Sequence, residues 1–239
     1  MIRRMRSVFY PPPHPRGPRT GGRTVDDYVT ARTARGAGMG TAAVVPLASM
    51  TSRQLIRRAK IIEAVTDLIG DVGPEAVQMR DVAKRSGVAL ATAYRYFRSK
   101  EQLLGAALED WQERLTRRTL SASRSAEADP LAGVLEYLRR AQRAFDRNPK
   151  MTALMLQMMT STDPDVGSTL DRMNQRNTEM FGLLLQGFPA EDIPNLSFAL
   201  NATLTSAING VLIGRLSLDE SQARVEWVAR ALLGRADER

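Results

Sequence analysis

The side chains behind most enzymatic chemistry are scarce in this sequence. Cysteine is absent, and the one histidine, His14, lies in a proline-rich stretch. Disulfides, thiolate metal sites and a cysteine nucleophile are therefore excluded, and the usual general base and metal ligand is missing from the part that can fold. No glycine-rich phosphate loop or paired-carboxylate motif stands out, which predicts a protein that is not an enzyme and uses no cofactor or metal. What does carry chemistry is the stretch over residues 79–104, MRDVAKRSGVALATAYRYFRSKEQLL. Ser86-Gly87 breaks it into two short helical patterns, and a basic, aromatic run follows. Two helices joined by a tight glycine turn make a helix-turn-helix unit, whose second helix reads DNA. Over 89–97, Ala93, Tyr96 and Phe97 fall on the inward face, which leaves Leu90, Ala91, Thr92 and Arg95 outward. Ala83, four residues before Gly87, lets the second helix cross closely, and the glycine accepts the positive φ of the turn.

The rest of the chain must position that unit. Net charge is +8 over 239 residues, distributed as +6 in residues 1–50, +5 in 51–100 and −3 in 101–239. Such asymmetry suggests a polyanion at one end, although an anionic membrane surface would explain the charge equally well. Residues 1–50 are dense in proline, glycine and arginine, which opposes both helix and core and predicts a disordered basic arm. Its arginines suit a minor groove; the plainer reading is that translation starts at Met50 or Met39. No secretory signal is evident, and the absence of cysteine fits a cytoplasmic location. From Thr51 the pattern turns helical: Thr51 or Ser52 caps, Ile61, Ala64, Val65 and Leu68 share a face, and Gly70 and Gly73-Pro74 end it. Arg53, Arg57, Arg58 and Lys60 crowd its first turns, against the helix macrodipole, and an external anion would relieve them.

These residues carry a resemblance. Ile61-Ile62-Glu63-Ala64, Gly73, Met79 to Ala83, Ser86-Gly87-Val88, Thr92 to Phe97 and Ser99 to Leu104 stand in the order and spacing of the N-terminal DNA-binding domain of the TetR family of bacterial transcriptional repressors. The resemblance covers residues 53–104. It implies that Arg80, Leu90, Ala91, Thr92 and Arg95 face base edges, with Arg80 suited to guanine. It also implies that Tyr94, Tyr96 and Lys100 hold phosphate and so set register. Two positions depart from the pattern. Ala89 replaces the usual Ser or Thr cap of the recognition helix, a loss of roughly 1 kcal/mol. Leu90 replaces a commonly polar residue, which suits a thymine methyl.

Beyond residue 104 the pattern stays helical. A small, polar connection covers 121–128, Asp129-Pro130 and Asp163-Pro164 each cap a helix, and a short apolar helix lies over 150–161. Met151, Met155, Met158, Met159, Met173 and Met180 concentrate there. Adaptable thioethers suit either a wide apolar cavity or a packed core. The family resemblance implies the cavity, because this helical domain is where such repressors bind an inducer. Asn177, with Gln157, Thr160 and Asn174, would orient the ligand; Arg172 or Arg176 would either meet an acidic group on it or lie on the surface. Residues 193–214 contain no charged side chain, but their many polar residues exclude a membrane span and predict a helix buried in protein. Ala202, Ser206, Gly210 and Gly214 recur every fourth residue as a stripe of small side chains. Ser217 and Glu220 match a capping box for a last helix presenting Val225, Val228 and Leu232. The resemblance implies that these two helices pair with their mates in a homodimer, placing two recognition helices about one DNA turn apart.

The expectation is therefore an all-α protein. Residues 1–50 form an arm, 51–104 an N-terminal helix-turn-helix three-helix domain, and 105–239 a C-terminal helical ligand-binding and dimerisation domain. Its partners would be an operator in double-stranded DNA, a small-molecule inducer and a second copy of itself, with no membrane. Within the family, the segments over 75–80 (EAVQMR) and Arg147-Asn148-Pro149 look like the repressors of sterol and lipid catabolism, which respond to bulky acyl-CoA intermediates. The rival reading is a ligand-independent, nucleoid-type DNA-coating protein.

Overall fold

Capping chemistry sets most of the element boundaries. The computed structural model describes residues 49–122 and 129–236, and the regular structure there is helical. In chain order the helices are α1 (Ser52–Val72), α2 (Met79–Ser86), α3 (Leu90–Tyr96), α4 (Lys100–Ala122), α5 (Pro130–Asp146), α6 (Pro149–Met159), α7 (Pro164–Leu184), α8 (Ile193–Leu212) and α9 (Leu218–Ala236). The expected arm, apart from residues 49–50, and most of the 121–128 connection lie outside the described residues. Thr51 starts α1 with a capping box: its hydroxyl accepts from the Gln54 N–H, and its own N–H donates to Gln54 Oε1 at 2.7 Å. Asp129 and Asp163 cap α5 and α7 ahead of their prolines, and Ser217 with Glu220 boxes the start of α9.

Two helices end in the same paired-hydrogen-bond turn. At the end of α2, Gly87 has φ +69°, its N–H donates to Lys84 O, and Val88 N–H donates to Ala83 O at 3.0 Å. At the end of α8, Gly214 has φ +70°, its N–H donates to Val211 O, and Arg215 N–H donates to Gly210 O at 2.8 Å. Both are Schellman motifs, in which a left-handed glycine lets the chain satisfy the last carbonyls. The first is the turn of the helix-turn-helix.

One hydrophobic core runs through both halves. Ile61, Val65 and Ile69 of α1 are buried with Val82, Ala93, Phe97 and, from α4, Leu103 and Ala107. The same α4 continues into the second half, where Trp111 meets Phe145 of α5 edge-on at 5.1 Å between ring centroids. The division expected at residue 104 thus falls inside α4, so one continuous helix serves both halves.

α6 packs against α1 and α4. Lys150 Nζ donates to the carbonyls of Gly70 and Asp71, at 2.9 and 2.7 Å. α1 has no basic residue in its last turn, so Lys150 supplies from α6 the cation that a helix C-terminus favours. Met155 and Met158 lie against α4: Gln112 Nε2 is 3.7 Å from Met155 Sδ, and a side chain at Gly105 would meet Met158 Cε. The gap left by glycine is what the flexible thioether fills.

Candidate nucleic-acid interface and the helices behind it

α3 stands on the surface by its inner face alone. Ala93 and Tyr96 are buried, while Leu90, Ala91, Tyr94 and Arg95 are exposed and Thr92 is half-buried. The helix has no side-chain cap: Ala89 is extended, and its carbonyl accepts from Thr92 N–H at 2.8 Å. Beside it, Arg80 projects from the first turn of α2 with only a loose contact to Asp81, 3.8 Å away. These residues form one outward surface of guanidinium, phenol, hydroxyl and methyl groups, the chemical set that reads base edges and holds phosphate. Exposed Lys84 and Arg98 add positive charge from the two neighbouring segments, and nothing in their spacing singled them out.

Two of the expected phosphate ligands sit differently. Tyr96 is 3 % exposed and its hydroxyl is buried without a hydrogen-bond partner in the described structure. Its aromatic ring belongs to the core that α3 needs, so the hydroxyl is not presented to a phosphate. Lys100 is half-buried, and its ammonium donates to Glu75 O at 2.7 Å, tying the start of α4 to the α1–α2 connection. A phosphate contact would compete with that bond. Arg85 is likewise engaged, pairing with Asp71 in the last turn of α1. Arg85 therefore links α2 to the turn that Lys150 caps from α6.

The methionines are divided by burial. Met151, Met155, Met158, Met173 and Met180 are buried, whereas Met159 is 51 % exposed at the end of α6 and lines no interior space. Helical spacing turns Met159 a quarter-turn past Met158. Met173 and Asn177 border a groove of about 240 Å³ along α4 and α7, together with Gln112, Thr116 and Leu120. A smaller cavity, about 120 Å³, lies between α5, α6, α8 and α9 and is bordered by Gln142, Phe145, Thr152, Ile208 and Ser221. There Ser221 Oγ donates to Gln142 Oε1 at 2.7 Å, and both side chains are buried. Arg172 and Arg176 do meet acids, but from the same chain: both pair with Glu109 of α4, at 3.2 and 3.0 Å.

The expected dimer stripe splits into two parts. Ala202 and Ser206 are exposed on α8. Gly210 is covered by Leu216, which would be 2.8 Å from an added Cβ, and Gly214 lies beyond the helix as its left-handed terminator. Both glycines thus close the α8–α9 turn within one subunit. On α9, Val225 is buried with Ser221, Ala229 and Leu233, while Val228 and Leu232 are half-buried. Val225 is thus part of the subunit core and not of a partner-facing surface. The exposed apolar residues here are Phe198, 76 % exposed, and Trp227, 71 % exposed. Phe198 lies one step of four before Ala202, so extending the small-residue stripe backwards would have found it. Behind this face Arg139 of α5 and Arg230 hold Glu226, and hydrogen bonding to Arg139 first and Arg230 second lowers its pKa below the ordinary glutamate value.

Comparison with known proteins places this geometry. The family model described as bacterial regulatory proteins, tetR family, matches residues 61–107. The chain is 32 % identical over 182 residues to the HTH-type transcriptional repressor KstR of Mycobacterium tuberculosis, a match spanning 76 % of this chain and 82 % of that protein. Among solved structures, a TetR transcriptional regulator from Rhodococcus sp. RHA1 superposes with a TM-score of 0.64 at 27 % identity, covering 77 % of this chain and 98 % of that one. The regulator FadR from Bacillus subtilis, in complex with stearoyl-CoA, shares the fold at a TM-score of 0.59 and 14 % identity, covering 72 % of this chain and 96 % of that one.

Proposed function

The chain belongs to the TetR family of transcriptional regulators, and from that premise we propose that it is a homodimeric repressor released from a palindromic operator by a small, largely apolar effector. The observation that carries this reading is the outward face of α3, where Leu90, Ala91, Tyr94 and Arg95 are exposed beside Arg80. Residues 51–104 would hold DNA, and residues 105–239 would dimerise and take the effector. Arg80, Leu90, Thr92 and Arg95 read bases; Tyr94 and, from the half-buried position it occupies, Lys100 set the register on phosphate. The effector class is a lipid or acyl-CoA-type metabolite. Its support is the likeness of the segments over 75–80 and 147–149 to repressors of sterol and lipid catabolism, together with the stearoyl-CoA held by a protein of the same fold.

Release follows if the effector binds the DNA-incompetent arrangement more tightly than the competent one. Selection of bound sequences from random DNA tests the first half of the proposal, with one palindrome as the expected result. Uniform, steeply salt-sensitive coating would indicate a nucleoid-type binder instead. For the second half, a long-chain acyl-CoA series is titrated into the protein with and without the selected operator. Equal affinity in both states would rule out effector-driven release.

A further inference from the structure

Among the described residues, Arg58 is the cation lining the α1–α4–α7 cleft that makes no direct ion pair. The cleft, about 540 Å³, opens between α1, the end of α3, α4 and α7. The other charges around it are engaged: Glu109 holds Arg172 and Arg176, Asp110 holds Arg114 at 2.7 Å, and Glu113 holds Arg117 at 3.2 Å and lies 3.7 Å from Arg176. Asp165 stands exposed in the first turn of α7, where a helix N-terminus already favours a carboxylate. Arg58 is half-buried and makes no hydrogen bond or ion pair among the described residues; its Cζ lies 5.2 Å from the centre of the Phe97 ring. Burial lowers its pKa, opposed by the negative charges of Glu109 and Asp110 and reinforced by the like charge of Arg172. Arginine stays protonated under such pressure, so a partly desolvated, solvent-reachable charge borders the cleft without a protein hydrogen-bond partner among the described residues. The cation–π contact with Phe97 uses none of its N–H donors, which are the groups that pair with carboxylates.

We propose that this cleft binds a small organic carboxylate, its anionic head paired with the edge of Arg58 and its apolar body against Met50, Ile62, Phe97 and Ala106. The lining sets the class. One unpaired guanidinium matches a monoanion, whereas a phosphate dianion needs more positive charge than a wall containing Asp165 offers. The apolar residues on the same wall favour an acid with a hydrocarbon body over a bare inorganic ion. The site shares no lining residue with the α5–α9 cavity and adjoins the α4–α7 groove, with Glu109, Glu113 and Arg176 bordering both. Because it joins α1 of the DNA-reading half to α7, an occupant would bridge the two halves.

The test uses the full chain without DNA, so its outcome is independent of the operator reading. Calorimetric titration with 3-phenylpropanoate is compared with the neutral 3-phenylpropanamide and with inorganic phosphate. Saturable binding of one acid per chain is expected, with the amide and phosphate each at least about tenfold weaker, the scale of one charge-assisted pair. Arg58→Gln should lose affinity about tenfold or more, and Arg58→Lys should retain part of it. Ser168→Trp, which fills the cleft from exposed α7, should block binding with Arg58 intact and serves if the Arg58 variants fail to fold. The proposal is overturned if the amide binds as tightly as the acid, if phosphate binds tighter, or if no acid binds. Undiminished binding in Arg58→Gln or in Ser168→Trp also overturns it.

Discussion

At the scale of single residues, α3 exposes Leu90, Ala91, Tyr94 and Arg95 and has two weak points. Ala89 leaves the N-terminus of the helix without a side-chain acceptor. Ala89→Ser is expected to raise the melting temperature by about 2–4 °C, the effect of roughly 1 kcal/mol in a protein of this size. Differential scanning calorimetry checks it, and an unchanged midpoint would show that the helix is already held by its packing. Tyr96 makes the opposite case. Its hydroxyl is buried and unpartnered, so Tyr96→Phe removes an unmet polar group and should leave stability equal or higher. Operator affinity should stay within about twofold. A fall beyond that would return Tyr96 to the phosphate contacts that the family resemblance implies.

At the scale of elements, α6 is the piece that reaches the DNA-reading half from behind. Its Lys150 caps α1, and the side chain of Asp71 in that capped turn holds Arg85 of α2. Lys150→Met should lower the melting temperature by about 1–4 °C, the range of a cation at a helix C-terminus, and Lys150→Arg should recover most of it. Hydrogen exchange should rise at the end of α1 and not in α9. The contact between α5 and α9 has a pH signature. Arg139 and Arg230 depress the Glu226 pKa, so its contribution is complete above the ordinary glutamate value of about 4.3 and is lost as pH falls through the lower folded value. Glu226→Gln is therefore expected to lower the melting temperature by about 1–3 °C at pH 7, discounted for exposure, and to match the parent in acid below that window.

At the scale of the whole molecule, the proposed dimer depends on a face that a single subunit leaves open. Phe198 and Trp227 are the large side chains exposed on α8 and α9, and Ala202 and Ser206 would give the close approach in the dimer we propose. Phe198→Glu combined with Trp227→Glu should yield a folded monomer by sedimentation velocity, with operator affinity reduced about a hundredfold through loss of bivalent binding. Val225→Glu should instead unfold the subunit, because Val225 is 1 % exposed in its own core. A folded monomer from Val225→Glu would move the interface back to the position that the sequence pattern suggested.

How much of this was legible beforehand follows from the range of the forces involved. Caps, glycine turns and 3.6-residue periodicity act within a few residues, so Thr51, Gly87, Asp129, Asp163 and the Ser217–Glu220 box could be read directly, and with them the helix-turn-helix and the all-α fold. The outward set of α3 was legible for the same reason: it is what remains when Ala93, Tyr96 and Phe97 turn inward. Partners distant in sequence could not be read. Lys150 bonds to a carbonyl eighty residues away in the chain and Lys100 to one twenty-five away, so neither bond is part of a local pattern. Gly210 and Gly214 fit a regular stripe, yet one packs under Leu216 and the other ends the helix. Periodicity reports which residues share a face, not which neighbour covers it. The amino-acid sequence alone determined the helices, their order and the DNA-reading unit, since short-range sterics and capping decide them. The tertiary structure alone decided which cations are already engaged and which, like Arg58, are not, because ion pairing depends on the packing of elements far apart in the chain.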